Sequence, residues 1–211
     1  MIKNLDGKRI VRKLMEVIQE NKDWLSEIDG AIGDGDHGVN MAKGFSMAGE
    51  KIDSTENNLS EQFKMLAMTL VSNIGGAMGP IYGTFFLNMS KEIRGKDQLE
   101  AQDLAKMLRS ALEGVKKRGG AKVGDKTLVD TLEPATIAYE RAIGEGKSIS
   151  EAIDLMIDAA KKGMESTKEL VAKKGRSSRL GERSKGTIDA GSASCYLILK
   201  ILGESFKEYC E

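Results

Sequence analysis

The sequence predicts an all-α protein, and three observations support this. Apolar residues recur at spacings of three and four along almost the whole chain, which is the period of an amphipathic helix. No stretch shows the strict alternation of apolar and polar residues that is typical of a half-buried strand. Only two of the 211 residues are proline, so few positions interrupt a helix.

The recurring apolar residues form stripes along helices, and residues typical of helix ends bound these stripes. Together they predict eight long helices and one short helix. Asn58 with Glu61, and Ser148 with Glu151, have the spacing of an N-cap and its partner. Pro80 suits a helix start, and Pro134 would kink its helix or lie near its first turn. A short helix is predicted over 23–28. The long helices are predicted at about 10–18, 39–52, 58–74, from about 80, 104–115, 128–143, 149–164 and 192–209.

Length and composition predict one domain over residues 1–211 and exclude several classes of protein. Lys and Arg together number 32, as do Asp and Glu, so the chain has no basic field that would recruit nucleic acid. Neither a signal-peptide pattern nor an apolar run of transmembrane length is present, and we expect a cytoplasmic protein without a membrane partner. The two cysteines are expected to be reduced thiols.

Polar chemistry is concentrated between Asp29 and Asn40, in the sequence DGAIGDGDHGVN. Three carboxylates gathered in one pocket repel one another, and a cation must compensate them. Ligands that are only oxygen favour Mg²⁺ or Ca²⁺ over zinc, and the spacing of Asp29, Asp34 and Asp36 does not fit an EF-hand loop. An acidic surface turn without a ligand is the alternative.

The same stretch contains the pattern Gly33-x-Gly35-x-x-Gly38, which matches a dinucleotide-binding fingerprint. That fingerprint needs a preceding strand and a phosphate approach free of negative charge. A helix is predicted before it, and Asp34 and Asp36 lie within it, so we reject a Rossmann fold.

Three further segments could bind an anion. Residues 75–84 and 119–127 are glycine-bearing helix entries, where free N–H groups and the helix dipole attract phosphate. Close helix packing through small residues explains 75–84 equally well. Residues 175–191 carry four cations among glycines and hydroxyls, which favours a loop that closes over phosphate, with a solvated basic loop as the alternative.

Four blocks taken together resemble the nucleotide-binding L subunit of dihydroxyacetone kinases. They occur in the same order as in that family and extend over most of the chain. A length of 211 residues fits a free-standing subunit of this kind. The blocks are GDGDHGVNMAKGF, GGAMGPIYGTFF, GAKVGDKTLVDTL and GRSSRLGERSKGTIDAGSAS.

The resemblance implies an eight-helix antiparallel barrel with a nucleotide pocket at one end, holding ADP or ATP and two Mg²⁺ ions. It implies that Asp29, Asp34 and Asp36 ligate the metal. It further implies that a phosphoryl-carrier M subunit converts the held ADP to ATP, and that the γ-phosphate passes to dihydroxyacetone on a partner K subunit. The nucleotide-binding residues that it implies are His37, Gly38 and Asn40 near the phosphates, Ala77 and Met78 opposite them, Gly120 and Leu128 along the adenosine, and Arg176, Asp189, Ala190 and Gly191 as the closing segment.

One residue departs from the family pattern. Met78 stands where members commonly carry a serine, and its side chain cannot donate a hydroxyl hydrogen bond. Two alternative functions follow from such drift. The chain could be a subunit of an ATP-dependent kinase for another short ketose or triose, or a nucleotide-sensing interaction module without catalysis.

Overall fold

The computed structural model describes residues 2–3, 7–52 and 58–208, and helices dominate them. We number the helices α1 to α9 in chain order. Within the described residues they are Gly7–Glu20, Lys22–Ile32, His37–Ile52, Leu59–Asn73, Met78–Glu92, Ala101–Gly119, Val129–Gly144, Ile149–Ser166 and Ala190–Glu208.

Eight of these helices form a closed ring. Each of α3 to α8 packs against the next helix in the chain, and α1 contacts both α3 and α9, which closes the ring. Short connections from α3 to α8 make these successive helices antiparallel, whereas the connection from α8 to α9 is longer and spans residues 167–189. The prediction of an all-α, eight-helix antiparallel barrel is therefore confirmed. The remaining helix, α2, is not part of the ring and packs against α3 and α9.

The predicted apolar stripes form the interior of the ring. In α6, for example, Leu104, Leu108 and Leu112 are all buried, as the helical period requires. All five phenylalanines are buried, and four of them belong to α3, α4 and α5. Phe86 links three of these helices through ring contacts with Phe45 at 5.9 Å and with Phe63 at 5.4 Å.

The predicted caps are present where the sequence placed them. The side chain of Asn58 accepts hydrogen bonds from Ser60 N and Glu61 N at the start of α4. Ser148 and Glu151 form a reciprocal capping box at the start of α8. Pro134 lies inside α7, one turn beyond its start.

Three features differ from the predictions. The helix expected over 23–28 is the longer α2, so Asp29 lies in its last turn and not in a loop. Two short strands, β1 (Ile2–Lys3) and β2 (Gln98–Leu99), pair antiparallel, and two residues are too few to show a period. The loop at 175–191 is partly ordered as a 3-10 segment, Arg176–Ser184.

Among the described residues, none of the helices combines the length and the apolar composition that crossing a bilayer requires. Cys195 is a buried free thiol in α9. Cys210 and the predicted helix end at Tyr209 lie outside the described residues.

Candidate functional site

A cavity of about 610 Å³ opens at one end of the barrel. In an antiparallel ring, every second connection lies at the same end, and the cavity is lined by the connections that precede α3, α5, α7 and α9. The four helices that follow these connections therefore begin at the cavity. Each brings the positive end of its dipole to the cavity, an arrangement that favours an anion.

Three carboxylates form an acidic cluster on one side of this cavity. Oxygen atoms of Asp29, Asp34 and Asp36 lie within 4.8 Å of one another. Asp29 is half-buried at the end of α2, and the other two are exposed in the connection to α3. Gly33 makes room for the cluster, since a Cβ atom there would come within 2.5 Å of Asp29 Oδ1.

The acidic cluster has two neighbours that reduce its repulsion. Arg176, at the start of the 3-10 segment, forms an ion pair with Asp34, and its Nη1 lies 4.0 Å from Asp36 Oδ2. The backbone N–H of His37 donates to Asp29 Oδ2 at 3.3 Å. The metal ligands that these three side chains offer are all carboxylate oxygens, which suit Mg²⁺ or Ca²⁺. Ligand oxygens of one Mg²⁺ ion lie up to roughly 4.2 Å apart, so small carboxylate rotations would let the cluster bind metal.

The start of α5 forms another part of the cavity lining. Gly75, Gly76, Ala77 and Met78 line the wall there. Gly76 adopts φ +67°, which side-chain-bearing residues rarely adopt. Ala77 is the N-cap and Met78 the first residue of α5, so backbone N–H groups are available at this point whatever the side chain is.

The ring of His37 is held by a hydrogen-bonded chain. His37 Nε2 lies 2.8 Å from Ser194 Oγ, which lies 2.6 Å from the hydroxyl of Tyr82. Tyr82 in turn donates to the carbonyl oxygen of Gly191 at 3.0 Å. Burial lowers the pKa of His37 to about 4, so the imidazole is neutral at neutral pH. His37 therefore brings no positive charge to the cavity, and its ring links the start of α3 to the start of α9.

Part of the cavity lining is apolar. It includes Ile81, Val115, Ala121 and Leu128. The cavity thus combines apolar residues, carboxylates that suit a cation and helix starts that suit an anion. Such a cavity can accept a ligand that has an apolar part and a phosphate with its metal ion. Its volume lies within the usual range for small-molecule sites, about 300–1,000 Å³.

Most of the residues implied by the resemblance line this cavity, and two do not. Gly38 packs against α2, and a Cβ atom there would lie 1.9 Å from Lys22 O. Gly120 is the C-cap of α6, in a left-handed conformation with φ +58°, and does not line the cavity. The twelve that line the cavity are Asp29, Asp34, Asp36, His37, Asn40, Ala77, Met78, Leu128, Arg176, Asp189, Ala190 and Gly191.

Sequence reasoning missed three polar residues at this end of the barrel. Tyr82 and Ser194 lie within the blocks that carried the resemblance, but nothing in their spacing shows that they meet. Lys126 also lines the cavity, and its side chain is buried. The one signal in the sequence was the clustering of polar residues at otherwise apolar helix starts.

Fold and site together define a helical-barrel protein with a cavity at one end, whose lining combines a three-carboxylate cluster with four helix starts. Comparison with known proteins identifies the family. A model of the DAK2 domain matches residues 31–204, and the chain belongs to this family.

Two curated relatives are similar over most of the chain. The ADP-binding subunit DhaL of a PEP-dependent dihydroxyacetone kinase from Listeria innocua is 44% identical over 184 residues, which cover 87% of each protein. The ADP-binding subunit DhaL of the PTS-dependent dihydroxyacetone kinase from Lactococcus lactis is 43% identical over 192 residues, which cover 90% of this chain and 92% of that subunit.

A solved structure has the same fold. The dihydroxyacetone kinase of C. freundii, crystallised with AMP-PNP and Mg²⁺, superimposes with a TM-score of 0.70 at 24% identity. The match covers 94% of this chain and 33% of that kinase, so the barrel corresponds to about one third of the larger protein.

Proposed function

We propose that this protein is the nucleotide-binding subunit of a dihydroxyacetone kinase and holds ADP with Mg²⁺ in the end cavity. The observation that carries the proposal is the pairing, in one cavity, of a three-carboxylate cluster with the beginnings of four helices. The first suits a hard cation and the second suits phosphate. The similarity to two ADP-binding subunits at more than 40% identity supports the same ligand.

In this proposal the chain's own residues bind and orient the nucleotide. Asp29, Asp34 and Asp36 would hold the metal, and bound Mg²⁺ would neutralise phosphate charge. Backbone N–H groups at Ala77 and Met78 would donate to phosphate oxygens. Arg176 would leave Asp34 for phosphate, since a guanidinium matches either partner with two donors.

The apolar wall at Leu128 would hold the base, and the segment Asp189–Gly191 would close beside it. Asn40 in the first turn of α3 would donate to phosphate. His37 is neutral and bonded to Ser194, so we assign it to orienting the start of α9 and not to proton transfer. No nucleophile is required from this chain, because phosphoryl transfer depends mainly on positioning and charge neutralisation.

The partners complete the reaction in this proposal. A phosphoryl-carrier subunit would convert held ADP to ATP, and the γ-phosphate would pass to dihydroxyacetone on a second subunit. We also propose that residues 1–211 act as one cytoplasmic domain.

A reconstituted assay tests this function. The protein is mixed with a phosphoryl-carrier subunit, a dihydroxyacetone-binding subunit and Mg²⁺, and phosphorylated dihydroxyacetone is measured. Formation of product that depends on this protein supports the proposal. Unchanged nucleotide binding without any product would instead favour a nucleotide-sensing module, and product formed only with excess exchangeable ATP would favour an ATP-dependent kinase.

A further inference from the structure

Lys126 is unusual among the lysines of this chain. It lies in the connection from α6 to α7, and only 1% of the residue is exposed. Its backbone has φ +61°, the only positive φ at a non-glycine residue in the described part of the chain. L residues rarely adopt this conformation, and they keep it where the surrounding contacts enforce it.

The contacts that fix Lys126 come from two distant parts of the sequence. Its Nζ donates to the carbonyl oxygen of Thr167 and to that of Thr187, each at 2.6 Å. Thr167 follows the end of α8, and Thr187 precedes the start of α9. One ammonium group therefore joins three chain segments at the end of the barrel that carries the cavity.

The same segments are joined a second time around Asp189. The hydroxyl of Thr167 accepts a hydrogen bond from Asp189 N at 3.0 Å, and Asp189 Oδ2 accepts one from Ser192 N at 2.7 Å. Ser192 Oγ donates to Thr127 O at 2.6 Å, next to Lys126. Asp189 is thus bonded to Thr167, which also binds Lys126, and through Ser192 to Thr127, the residue after the buried lysine.

Charge also couples Lys126 to this wall. Burial raises the pKa of Asp189 to about 6, and the ammonium of Lys126 acts in the opposite direction. Burial lowers the pKa of Lys126, and the carboxylates of Asp189, Asp130 and Glu169 oppose that change. Replacing the cation by an apolar group would leave Asp189 in a poorly solvated place without its compensating charge.

We propose that Lys126 is a positioning residue for the nucleotide: its buried ammonium holds the Asp189–Gly191 wall in the conformation that binds the ligand. This inference rests on the proposed function, since it concerns the same cavity. Lys126 acts through the wall and through Thr127, and it has no part in metal binding. The acidic cluster lies on α2 and the connection to α3, which share no hydrogen bond with Lys126.

The test compares ADP affinity and metal affinity in Lys126→Met, Lys126→Arg and the control Lys173→Met. Lys173 donates to Gly124 O in the same connection at 2.9 Å, but its side chain is 58% exposed. Binding of ADP with Mg²⁺ is measured by calorimetry, and binding of Mn²⁺ alone by electron paramagnetic resonance. Both are measured at a temperature well below the thermal unfolding transition. Circular dichroism verifies folding.

Lys126→Met should weaken ADP binding by roughly 10- to 100-fold, the range for loss of charge-assisted hydrogen bonds. Mn²⁺ binding should stay within about threefold, as expected for a separate site, and Lys173→Met should leave both affinities within the same margin. Lys126→Arg retains the charge and should recover most of the ADP affinity. A purely structural role predicts no such selective loss and recovery.

Folded Lys126→Met with ADP affinity like that of the wild type would overturn the inference, as would Lys126→Arg with an equal loss. If Lys126→Met does not fold, Lys126→Gln is measured in the same way, with the same expected loss and the same refuting result. A wild-type protein that binds no ADP would overturn the proposed function, and this inference with it. Wild-type binding with an insensitive Lys126 would overturn the inference alone.

Discussion

Replacing Asp34 by asparagine separates the role of the acidic cluster in binding from any role in stability. Asp34 forms an ion pair with Arg176, and the two side chains are 38% and 60% exposed. An ion pair this exposed contributes at most about 1 kcal/mol to folding. Removing one of three neighbouring negative charges also relieves repulsion, so the metal-free variant should unfold within about 1 kcal/mol of the wild type.

Binding should respond very differently. A carboxylate that ligates the metal contributes more to metal affinity than a residue that only hydrogen-bonds to a ligand. Loss of the latter kind of residue already lowers metal affinity by about 10- to 100-fold. Asp34→Asn should therefore weaken Mn²⁺ binding by roughly 100-fold or more, and Mg²⁺-dependent ADP binding with it. Chemical denaturation gives the stability, and calorimetry and paramagnetic resonance give the affinities.

Asp158→Asn is the matched control. Asp158 is also an exposed, ion-paired carboxylate, bonded to Lys162 on α8, and it does not line the cavity. It should leave both affinities unchanged. Asp34→Asn with wild-type Mn²⁺ affinity would refute the metal assignment, and a stability loss of several kcal/mol would show that the cluster is a structural element.

Three further predictions concern residues around the cavity. Gly38→Ala should lower the unfolding free energy by about 2–4 kcal/mol in denaturation, because its Cβ would meet the backbone oxygen of Lys22. In the control Gly49→Ala the Cβ would meet only the flexible end of Met15, and the loss should be about 1 kcal/mol or less. Met78→Ser should change the ADP affinity less than about threefold in calorimetry, because the helix-terminal N–H is kept; a larger gain would assign the contact to the hydroxyl. In metal-free protein, Asp189→Asn should make unfolding free energy rise more steeply between pH 4 and 6.5 than in the wild type.

The sign of that pH effect follows from two opposed shifts. The pKa of His37 is lowered to about 4, so the unfolded chain binds more protons below pH 6.5 and stability rises with pH through that window. The pKa of Asp189 is raised to about 6, so the folded chain binds more protons than the unfolded chain between its ordinary pKa of 3.8 and pH 6. Its contribution to the unfolding free energy therefore falls as the pH rises through that window. Each contribution is at most about 3 kcal/mol, and they nearly offset. A slope in Asp189→Asn equal to that of the wild type would contradict the account.

The fold could be predicted because its signals are local. Stripes such as Leu104, Leu108 and Leu112 follow the helical period, and Asn58 and Ser148 cap the helices that they were expected to cap. The predicted end of α2 at residue 28 is wrong, because the helix continues to Ile32. The pairing of β1 with β2 joins residues almost 100 positions apart, and no local pattern announces it.

The acidic part of the site was visible for the same reason, since Asp29, Asp34 and Asp36 are close in sequence. The supporting network was not visible. Lys126 lies in a lysine-rich segment and resembles a solvated residue until the fold brings the carbonyls of Thr167 and Thr187 to it from 41 and 61 positions away. The contact of His37 with Ser194 spans 157 positions.

The central claim is that this protein holds ADP with magnesium in the end cavity. The most direct measurement is to purify the protein gently without added nucleotide, denature it, and determine the released nucleotide and magnesium per chain. The account predicts ADP in near-stoichiometric amount together with Mg²⁺, and loss of both from Asp34→Asn. A wild-type protein that carries neither, and that binds neither ADP nor ATP when they are added with Mg²⁺, would contradict it.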